Sequence, residues 1–238
     1  MQSVILAGGL GTRLQAITKE IPKALVPVRG RPFAAYQLDW LARQGVTEVV
    51  YCIGYKGSQI VDFVGDGSAW GLRVSYADEG RELLGTGGAL RHALATTGLR
   101  PSFFVLYGDS FLPIAYPPVL ERFARSGKPA LMTVMRNDNR WDRSNVVYDP
   151  PLVALYDKHC DERVRATMTH IDYGLLVLSS NLVETEIPKA AVVDLADVLG
   201  RLSRRGALAG YEVAQRFYEV GSPTGLADFT RYAEQEGL

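Results

Sequence analysis

A glycine-rich loop near the start of the chain carries the residue types that bind polyanions. The run Val4–Leu14 begins with apolar residues and contains Gly8-Gly9-Leu10-Gly11-Thr12-Arg13, and Lys23 follows ten residues after the arginine. Glycine tolerates positive φ and has no Cβ, so backbone N–H groups can approach an anion closely. Fixed amide dipoles combined with two cations favour a polyphosphate. The sequence therefore predicts a nucleoside triphosphate site within its first two dozen residues.

Two well-known glycine motifs do not match this loop. A P-loop needs G-x-x-x-x-G-K-[ST], and that pattern does not occur in the chain. A dinucleotide fingerprint needs a third glycine where Leu14 stands, which makes NAD binding a remote alternative. The remaining alternative is a strand-to-helix turn without a ligand. Such a turn would not need Arg13 and Lys23.

Composition limits the class of protein. The 238 residues are 47% hydrophobic, and 26 basic residues balance 26 acidic ones. This balance argues against a general nucleic-acid or membrane-surface binder, which would need an excess of Lys and Arg. The two cysteines, Cys52 and Cys160, cannot form a disulfide framework. No apolar run approaches the roughly 18 residues of a membrane span, and no secretory leader is evident, so a cytoplasmic protein is expected.

The elements that must position the loop follow a strand–helix alternation in the first half. Its apolar runs read as strands buried on both faces, and amphipathic stretches separate them. Strands are predicted at Ser3–Leu6, Glu48–Ile53, Leu72–Tyr76 and Phe103–Leu106, and helices at Pro32–Gln44, Gln59–Val64 and Gly88–Ala95. This alternation predicts an α/β fold with a right-handed, doubly wound sheet.

The second half reads as strands that add antiparallel pairs to the sheet. Strands are predicted at Ala130–Met135, Asn145–Tyr148, Leu152–Tyr156, Tyr173–Leu178, Leu208–Val213 and Gln215–Val220, and helices at Asp194–Arg204 and Thr224–Gln235. No linker or repeat interrupts the chain. We therefore expect residues 1–238 to form one domain, with a nucleotide-binding N-terminal half and an acceptor-binding C-terminal half.

Several motifs in order along the chain resemble one family. Leu-Ala-Gly-Gly-x-Gly-Thr-Arg-Leu and then Pro22-Lys23 are similar to the signature of the sugar-1-phosphate nucleotidyltransferases, also called NDP-sugar pyrophosphorylases. Further matching segments are Val28-x-Gly30-x-Pro32, Leu84-Gly85-Thr86-Gly87-Gly88-Ala89, Gly108-Asp109 and Val220-Gly221-Ser222-Pro223. Within this family, the chain resembles the short bacterial heptose-1-phosphate guanylyltransferases and N-acetylmuramate-1-phosphate uridylyltransferases. The resemblance implies a Rossmann-like nucleotidyltransferase fold with a mixed, mainly parallel sheet flanked by helices.

The resemblance also implies a reaction and a set of catalytic residues. The phosphate of a sugar 1-phosphate attacks the α-phosphorus of an NTP, and pyrophosphate leaves. Catalysis then depends on holding two anions in line and neutralising their charge, for which Arg13, Lys23 and Asp109 are the implied residues. The implied nucleotide-binding residues are Leu6, Ala7, Gly8, Gly9, Gly11, Thr12, Arg13, Lys23, Glu79, Gly85 and Thr86. Glu79 or Glu82 could accept hydrogen bonds from a guanine edge, or both could be solvated loop charges.

The acceptor and the cofactor are implied in the same way. Asp157-Lys158 matches an acidic-Lys pair that holds sugar hydroxyls and the sugar phosphate, although Asp stands where relatives have Glu. Asn145 and Gly174 complete the expected acceptor set. Mg²⁺ is the expected cofactor, with Asp109 and Glu219 as its ligands, although relatives carry Asp in place of Glu219.

Several functions remain open from the sequence. GTP with a heptose or hexose 1-phosphate is favoured because of the two glutamates near the base. The alternatives are a uridylyl- or cytidylyltransferase, including one acting on a non-sugar phosphate or phosphonate, and a catalytically silent regulatory subunit that binds nucleotide-sugar. The expected partners are an NTP and a sugar 1-phosphate, with no nucleic acid and no membrane. A monomer or small homo-oligomer is expected.

Overall fold

The first strand shows how the fold is organised. The computed structural model describes residues 1–9, 19–80 and 82–238. Strand β1, Gln2–Leu6, is buried along its whole length. Its side chains alternate, with Val4 and Leu6 entering one hydrophobic core and Ile5 entering another. A strand buried on both faces needs a layer of helices on each side of the sheet.

Among the described residues, nine strands form the central sheet in the order β5-β4-β1-β6-β11-β8-β12-β10-β9. Their bounds are β1 Gln2–Leu6, β4 Glu48–Ile53, β5 Arg73–Asp78, β6 Ser102–Tyr107, β8 Ala130–Arg136, β9 Val146–Asp149, β10 Leu152–Tyr156, β11 His170–Ser179 and β12 Leu208–Val213. Two short pairs lie outside it, β2 Pro27–Val28 with β3 Arg31–Pro32, and β7 Ser110–Phe111 with β13 Tyr218–Glu219.

The strand directions make the sheet mixed but mainly parallel, as predicted. Strands β5, β4, β1 and β6 are parallel neighbours. Strand β11 runs antiparallel to β6 and to β8, and β12 runs parallel to β8. Strand β10 pairs antiparallel with both β12 and β9, so within this sheet β10 and β11 alone oppose the common direction. Strand β9 also pairs with the start of β11, which curls the second half of the sheet.

Helices cover both faces. Their bounds are α1 Phe33–Arg43, α2 Gly57–Val64, α3 Gly85–Thr96, α4 Pro117–Ser126, α5 Glu162–Arg165, α6 Ser180–Glu186, α7 Leu195–Arg204 and α8 Pro223–Gln235, with 3₁₀ turns at Lys23–Leu25 and Ser68–Trp70. Apolar residues of α3, α6 and α7 share a core with one face of the sheet. Those of α1, α2 and α4 share a core with the other face. The doubly wound arrangement predicted from the alternation is confirmed.

The closing helix α8 makes a smaller third core around the β7–β13 pair. Phe229 contacts Phe33 and Tyr36 edge-on, with ring centroids 5.0 and 5.4 Å apart. It also lies 5.0 Å from the ring of Phe111. This aromatic cluster fastens the last helix beside the short ladder that carries Glu219.

The sequence-based elements differ from the structure in several places. Helices α4, α5 and α6 were not predicted. Helix α3 begins at Gly85 rather than Gly88, so the glycines form its first turn. The strand predicted at Gln215–Val220 is only Tyr218–Glu219, because pairing with β7 is limited to two residues. Within the described part of the chain, no helix combines the length and hydropathy needed to cross a bilayer.

Candidate functional site

The carboxyl ends of four parallel strands meet at one edge of the sheet. Open α/β sheets bind ligands at this edge. Backbone hydrogen bonds continue the pairing just beyond the strands: Ala7 N–H donates to the Cys52 carbonyl at 2.9 Å and Gly108 N–H to the Leu6 carbonyl at 2.9 Å. Glu79 N–H donates to the Ile53 carbonyl at 3.0 Å. The loops that follow β1, β4, β5 and β6 are therefore held side by side.

A cavity of about 240 Å³ opens among these loops. Predicted nucleotide-site residues make up much of its lining. The described residues around it are Leu6, Ala7, Gly8, Gly9, Lys23, Ala24, Cys52, Glu79, Leu83, Gly85, Thr86, Ala89, Tyr107, Gly108 and Asp109. The predicted residues Gly11, Thr12 and Arg13 lie outside the described part of the chain.

Glycine is required where the loops approach each other most closely. A Cβ on Gly108 would lie 2.9 Å from the Cβ of Ala7. A Cβ on Gly8 would lie 3.3 Å from Oε1 of Glu79. The glycine positions of this edge thus allow the strand ends to converge around the cavity, in addition to any contact with a ligand.

Lys23 and Asp109 form an ion pair at the floor of the cavity. The Nζ–Oδ2 distance is 3.0 Å, and both side chains are about one-fifth exposed. Lys23 opens the 3₁₀ turn that follows Pro22, and Asp109 follows Gly108 after β6. Two predicted catalytic residues, 86 positions apart in sequence, are therefore in direct contact.

Glu219 lies beside Asp109 through the short β7–β13 ladder. Glu219 is paired with Ser110, and Val220 N–H donates to the Asp109 carbonyl at 2.8 Å. A Cβ placed on Gly221 would lie 2.6 Å from a Glu219 carboxylate oxygen and 2.9 Å from Asp109 Oδ2. The two predicted metal ligands thus converge on one point of the backbone. Among the described residues, no cluster of three or more His, Cys, Asp or Glu side chains joins them.

The Glu219 carboxylate is oriented by its own loop. Its Oε2 accepts from Gly221 N–H at 2.5 Å, and its Oε1 accepts from the Ser222 hydroxyl at 2.5 Å. Ser222 also caps α8 by accepting from Gly225 N–H at 3.0 Å. Because each oxygen retains a lone pair, these contacts fix the side chain without preventing it from binding a cation.

Gln37, which was not predicted from the sequence, holds the turn that carries Asp109. Its side chain is 2% exposed and lies on α1. Its Nε2 donates to the carbonyls of Tyr107 at 2.9 Å and Ser110 at 2.6 Å, which flank the Gly108–Asp109 turn. A buried amide that joins both ends of a turn fixes its shape. A polar residue on the buried face of an amphipathic helix was the signal that could have revealed it.

Glu79 lies in the cavity between the two glycine loops. Its Oε2 accepts from Leu84 N–H at 2.6 Å. Burial raises the pKa of this carboxyl, and the Leu84 hydrogen bond opposes the rise only in part. Glu82, the other glutamate considered for base recognition, is exposed and does not line the cavity.

Thr86 lines the cavity, but its hydroxyl is committed to the protein. It donates to Asp194 Oδ1 at 2.8 Å and accepts from Leu195 N–H at 2.8 Å. Asp194 is the N-cap of α7 and also accepts from Ala196 N–H. Burial opposes ionisation of Asp194, yet these hydrogen bonds hold its pKa below the ordinary value. The Gly85–Thr86 turn therefore joins α3 to the start of α7 beside the ligand space.

A second cavity, of about 630 Å³, adjoins the first at Tyr107 and Asp109. It extends toward the C-terminal half of the chain. Its described lining is Tyr107, Asp109, Ser110, Arg140, Trp141, Asp142, Lys158, Arg216, Phe217, Tyr218, Glu219, Ser222, Thr224, Gly225 and Asp228. Two of the predicted residues for this half, Lys158 and Glu219, face the space.

Lys158 lies near a polar cluster that includes an unpredicted carboxylate, Asp172. The Lys158 Nζ is 5.9 Å from the ring centroids of both Tyr107 and Tyr156. Asp172 accepts from the Tyr156 hydroxyl at 3.2 Å and from Gly174 N–H at 3.0 Å. Burial raises the pKa of Asp172, while the charge of Lys158 acts in the opposite direction.

The other three predicted acceptor residues line neither cavity. Asp157 accepts from Arg204 at 2.6 Å and from His159 N–H at 2.9 Å, so its carboxylate is already held by other residues of the protein. Asn145 accepts from Asp172 N–H at 2.9 Å and so supports the strand behind the site. Gly174, at φ +102°, lies in the irregular part of β11. Their role in binding an acceptor stays a prediction.

The chain resembles known proteins over long stretches. A family described as nucleotidyl transferase matches residues 2–145. The chain is 40% identical over 114 residues to the D-glycero-alpha-D-manno-heptose 1-phosphate guanylyltransferase of Campylobacter jejuni, covering 48% of this chain and 50% of that protein. It is 38% identical over 116 residues to the N-acetylmuramate alpha-1-phosphate uridylyltransferase of Neisseria meningitidis, covering 49% of this chain and 50% of that protein. The matches thus span half the length of these two relatives.

The fold also matches solved structures. The crystal structure of HddC from Yersinia pseudotuberculosis complexed with GMP-PN has a TM-score of 0.77 to this chain. The two are 25% identical, and the match covers 97% of this chain and 98% of that one. The resemblance predicted from the glycine motifs is thereby confirmed. With a family match over more than half its length and a shared Rossmann-like sheet, the chain belongs to the nucleotidyl transferase family.

Proposed function

We propose that this protein transfers a nucleoside monophosphate from an NTP to a sugar 1-phosphate, giving an NDP-sugar and pyrophosphate. The observation that carries the proposal is the junction of two cavities at Asp109, with Lys23 and Glu219 beside it. The described part of the glycine loop lines one cavity, and Lys158 lines the other. This arrangement suits two anionic substrates that must meet at one phosphorus atom.

The chemistry needs positioning more than proton transfer. An oxygen of the acceptor phosphate forms a bond to the α-phosphorus while the bond from that phosphorus to the bridging oxygen of pyrophosphate breaks. The acceptor phosphate has a second pKa near ~6, so it is mostly dianionic at neutral pH and needs no general base. In this proposal Lys23 neutralises the α-phosphate, and Lys158 holds the acceptor phosphate in line.

The residues at the junction fit a magnesium ion. Two carboxylates converge around Gly221, and oxygen donors are the ligands that Mg²⁺ prefers. Asp109 and Glu219 would hold the ion, with water and phosphate oxygens completing its shell. When bound, it would neutralise charge that builds on the phosphates. Glu219 would reach this role because the β7–β13 ladder fixes its backbone beside Asp109.

GTP is the favoured donor. Glu79 is partly buried in the nucleotide cavity, and only its Oε2 accepts a hydrogen bond from a described residue, Leu84. A guanine edge offers two adjacent donors to such a carboxylate, whereas uracil offers one. A uridylyltransferase is the second candidate, because a relative of that name is nearly as similar as the guanylyltransferase. A silent regulatory subunit is disfavoured, since it would not need Lys23, Asp109 and Glu219 to converge.

A direct assay tests the proposal. Pyrophosphate release is measured with each of four NTPs against a panel of sugar 1-phosphates, with and without Mg²⁺. Turnover should require a phosphorylated acceptor and the metal, with GTP the fastest donor. Absence of turnover for every pair would refute the transferase, and faster turnover with UTP or CTP would refute only the choice of base.

A further inference from the structure

The outer wall of the second cavity contains a group of charged and aromatic residues that the proposed reaction does not use. We call Arg140, Trp141 and Arg216 the outer wall. All three line the cavity that contains Lys158. Trp141 is 44% exposed, which is unusual for so large an apolar side chain. Two guanidinium groups lie close to this exposed indole.

Arg216 is fixed against the indole. Its Cζ lies 3.9 Å from the ring centroid of Trp141 and 5.1 Å from that of Tyr218. Its Nη2 donates to Asp228 Oδ2 at 2.5 Å, which anchors the side chain to α8. Tyr218 in turn stacks on Tyr232 with centroids 4.3 Å apart. The indole therefore packs against an anchored side chain, and the charge of Arg216 is offset in part by Asp228, which also pairs with Arg231.

The loop that carries Arg140 and Trp141 is held from below by two buried polar residues. Asn137 is 2% exposed, and Ser144 is fully buried. Asn137 Oδ1 accepts from Trp141 N–H at 3.1 Å, and Asn137 Nδ2 donates to the Asp142 carbonyl at 2.7 Å and to the Ser144 hydroxyl at 3.1 Å. A loop with this internal bonding holds its side chains in a defined place rather than leaving them to move freely.

Arg140 supplies a positive charge to this wall. Its Cζ lies 5.3 Å from the Trp141 ring centroid. It forms no ion pair with any described carboxylate, whereas its sequence neighbours Arg136 and Arg143 pair with Asp138 and Glu162. Asp142 also lines the cavity, but its Oδ1 accepts from Arg143 N–H. A guanidinium suits carboxylate and phosphate groups because its planar fork can bind two oxygens.

We propose that the outer wall is a subsite for a second anionic group of the acceptor, a carboxylate or a phosphate remote from its 1-phosphate. Arg140 binds that anion, and Trp141 packs against the apolar face of the sugar. The inference rests on the proposed transferase, with Lys158 taking the 1-phosphate. The cavity of about 630 Å³ exceeds the nucleotide cavity in volume, so the acceptor half has room for such a substituent.

Matched acceptors test this subsite. N-acetylmuramate 1-phosphate and N-acetylglucosamine 1-phosphate differ by a lactyl group with a carboxylate, and glucose 1,6-bisphosphate and glucose 1-phosphate differ by a phosphate. We expect kcat/KM to be at least about tenfold higher for the anionic member of one pair, the size expected for one charge-assisted hydrogen bond. Equal kcat/KM values within both pairs would overturn the proposal.

Variants assign the preference to the wall. Arg140→Gln should bring the anionic-to-neutral ratio of kcat/KM close to one. Arg136→Gln is the matched control, because Arg136 is also exposed and near in sequence but lines neither cavity. A ratio that survives Arg140→Gln, or that falls equally in the control, would refute the role of Arg140.

Binding separates this proposal from the proposed function. The anionic and neutral acceptors are titrated by calorimetry and by tryptophan fluorescence, with Trp141→Phe identifying the signal from the wall. If no NTP and acceptor pair turns over, the transferase fails, and the binding data still decide the subsite. Tighter binding of the anionic acceptor that is lost in Arg140→Gln supports it, and equal binding overturns it.

Discussion

At the scale of single residues, the position of Glu219 determines how the protein would hold a cation. The longer side chain is compensated by the ladder that brings its backbone to Ser110, next to Asp109. Both of its oxygens are already oriented, by Gly221 N–H and by the Ser222 hydroxyl. The geometry therefore favours a carboxylate that is fixed before the ion arrives.

Replacing Glu219 by Gln keeps the shape and removes the charge. We expect the Mg²⁺ concentration for half-maximal rate to rise about tenfold or more, because losing one charged contact costs about 1.5–3 kcal/mol. Calorimetric titration of Mg²⁺ in the presence of an NTP measures the same change without turnover. Glu184→Gln, on an exposed side chain of α6, is the control. A Mg²⁺ dependence like that of the wild type would exclude Glu219 as a ligand.

Asp172 gives a prediction about pH. Burial raises its pKa in the folded state, so between the ordinary value near ~4 and that raised value the folded protein binds more protons than the unfolded chain. Its contribution to stability is therefore present at low pH and is lost as the pH rises. Asp172→Asn has no carboxyl at this position, so it does not lose this stability as the pH rises. The free energy of unfolding of the wild type, minus that of the variant, should therefore fall with rising pH. Chemical denaturation at a series of pH values measures it, and a difference that grows with pH would contradict it.

At the scale of elements, helix α1 reaches the site through one buried side chain. Gln37 satisfies the carbonyls of Tyr107 and Ser110, on either side of Asp109. Gln37→Leu removes both hydrogen bonds from buried acceptors, which should cost about 1–3 kcal/mol of stability and also raise the Mg²⁺ requirement. Gln235→Leu, on an exposed side chain of α8, is the control for stability. Wild-type Mg²⁺ dependence in a folded Gln37→Leu protein would limit the residue to stability.

The first turn of α3 depends on contact with the segment before α7. Gly87 and Gly88 N–H groups both donate to the Val193 carbonyl, at 2.8 and 3.3 Å. A Cβ on Gly88 would lie 2.5 Å from the Ala191 carbonyl oxygen. Gly88→Ala should therefore destabilise the protein by about 1–3 kcal/mol, as overpacking does, although alanine normally favours helices. Thermal unfolding tests this expectation.

Gly98 is the control for Gly88. A Cβ there would meet open space, but the backbone φ is positive, at +74°. Gly98→Ala should cost about 1 kcal/mol through backbone strain alone. It should also leave nucleotide affinity unchanged, whereas Gly88→Ala disturbs the helix that begins at the cavity. A Gly88→Ala protein as stable as wild type would contradict the close approach of α3 to this segment.

At the scale of the whole molecule, ligand binding should be visible as stability. GTP with Mg²⁺ at a hundredfold excess over Kd should add about 2.7 kcal/mol. For a chain of this length that corresponds to a rise in Tm of about 5–10 °C. Lys23→Ala should remove most of the rise, whereas Lys189→Ala, on an exposed side chain, should keep it. Scanning fluorimetry without acceptor measures the shift, and an equal shift in Lys23→Ala would remove Lys23 from nucleotide binding.

The sequence could predict the sheet because its strands are apolar on both faces. Strands β1 and β4 were predicted to within one residue, since each is a short, mainly apolar run that ends close to a glycine. The start of α3 was placed late because glycines disfavour helix, and only packing against Val193 overcomes that preference. Helix α4 was missed, although Pro117 and Pro118 at its first turn are a recognised start signal.

The candidate site was predictable where function lies in a local motif. The glycine loop, Lys23 and Asp109 were found from residues adjacent in sequence, and the structure places the described ones around one cavity. Gln37 and Asp172 were not predicted, because their partners lie 70 and 16 positions away. The polar Gln37 on the buried face of α1 was a local signal, but it does not identify the partner. Asp157 was expected at the acceptor; in the structure it pairs with Arg204, from a helix distant in sequence, and its role stays a prediction.

If Asp109 binds the metal as proposed, its contact with Lys23 would make the lysine a competitor of that ion. The Lys23 ammonium group contacts Oδ2 of Asp109, an oxygen that a divalent cation would also use. Two positive charges beside one oxygen repel each other, which is electrostatically unfavourable. A triphosphate that attracts the Lys23 ammonium group to its own oxygens would leave the Asp109 carboxylate free to bind the cation. The pair would therefore couple the two ligands: binding of the nucleotide would favour binding of the cation and the reverse, and each would bind less tightly alone.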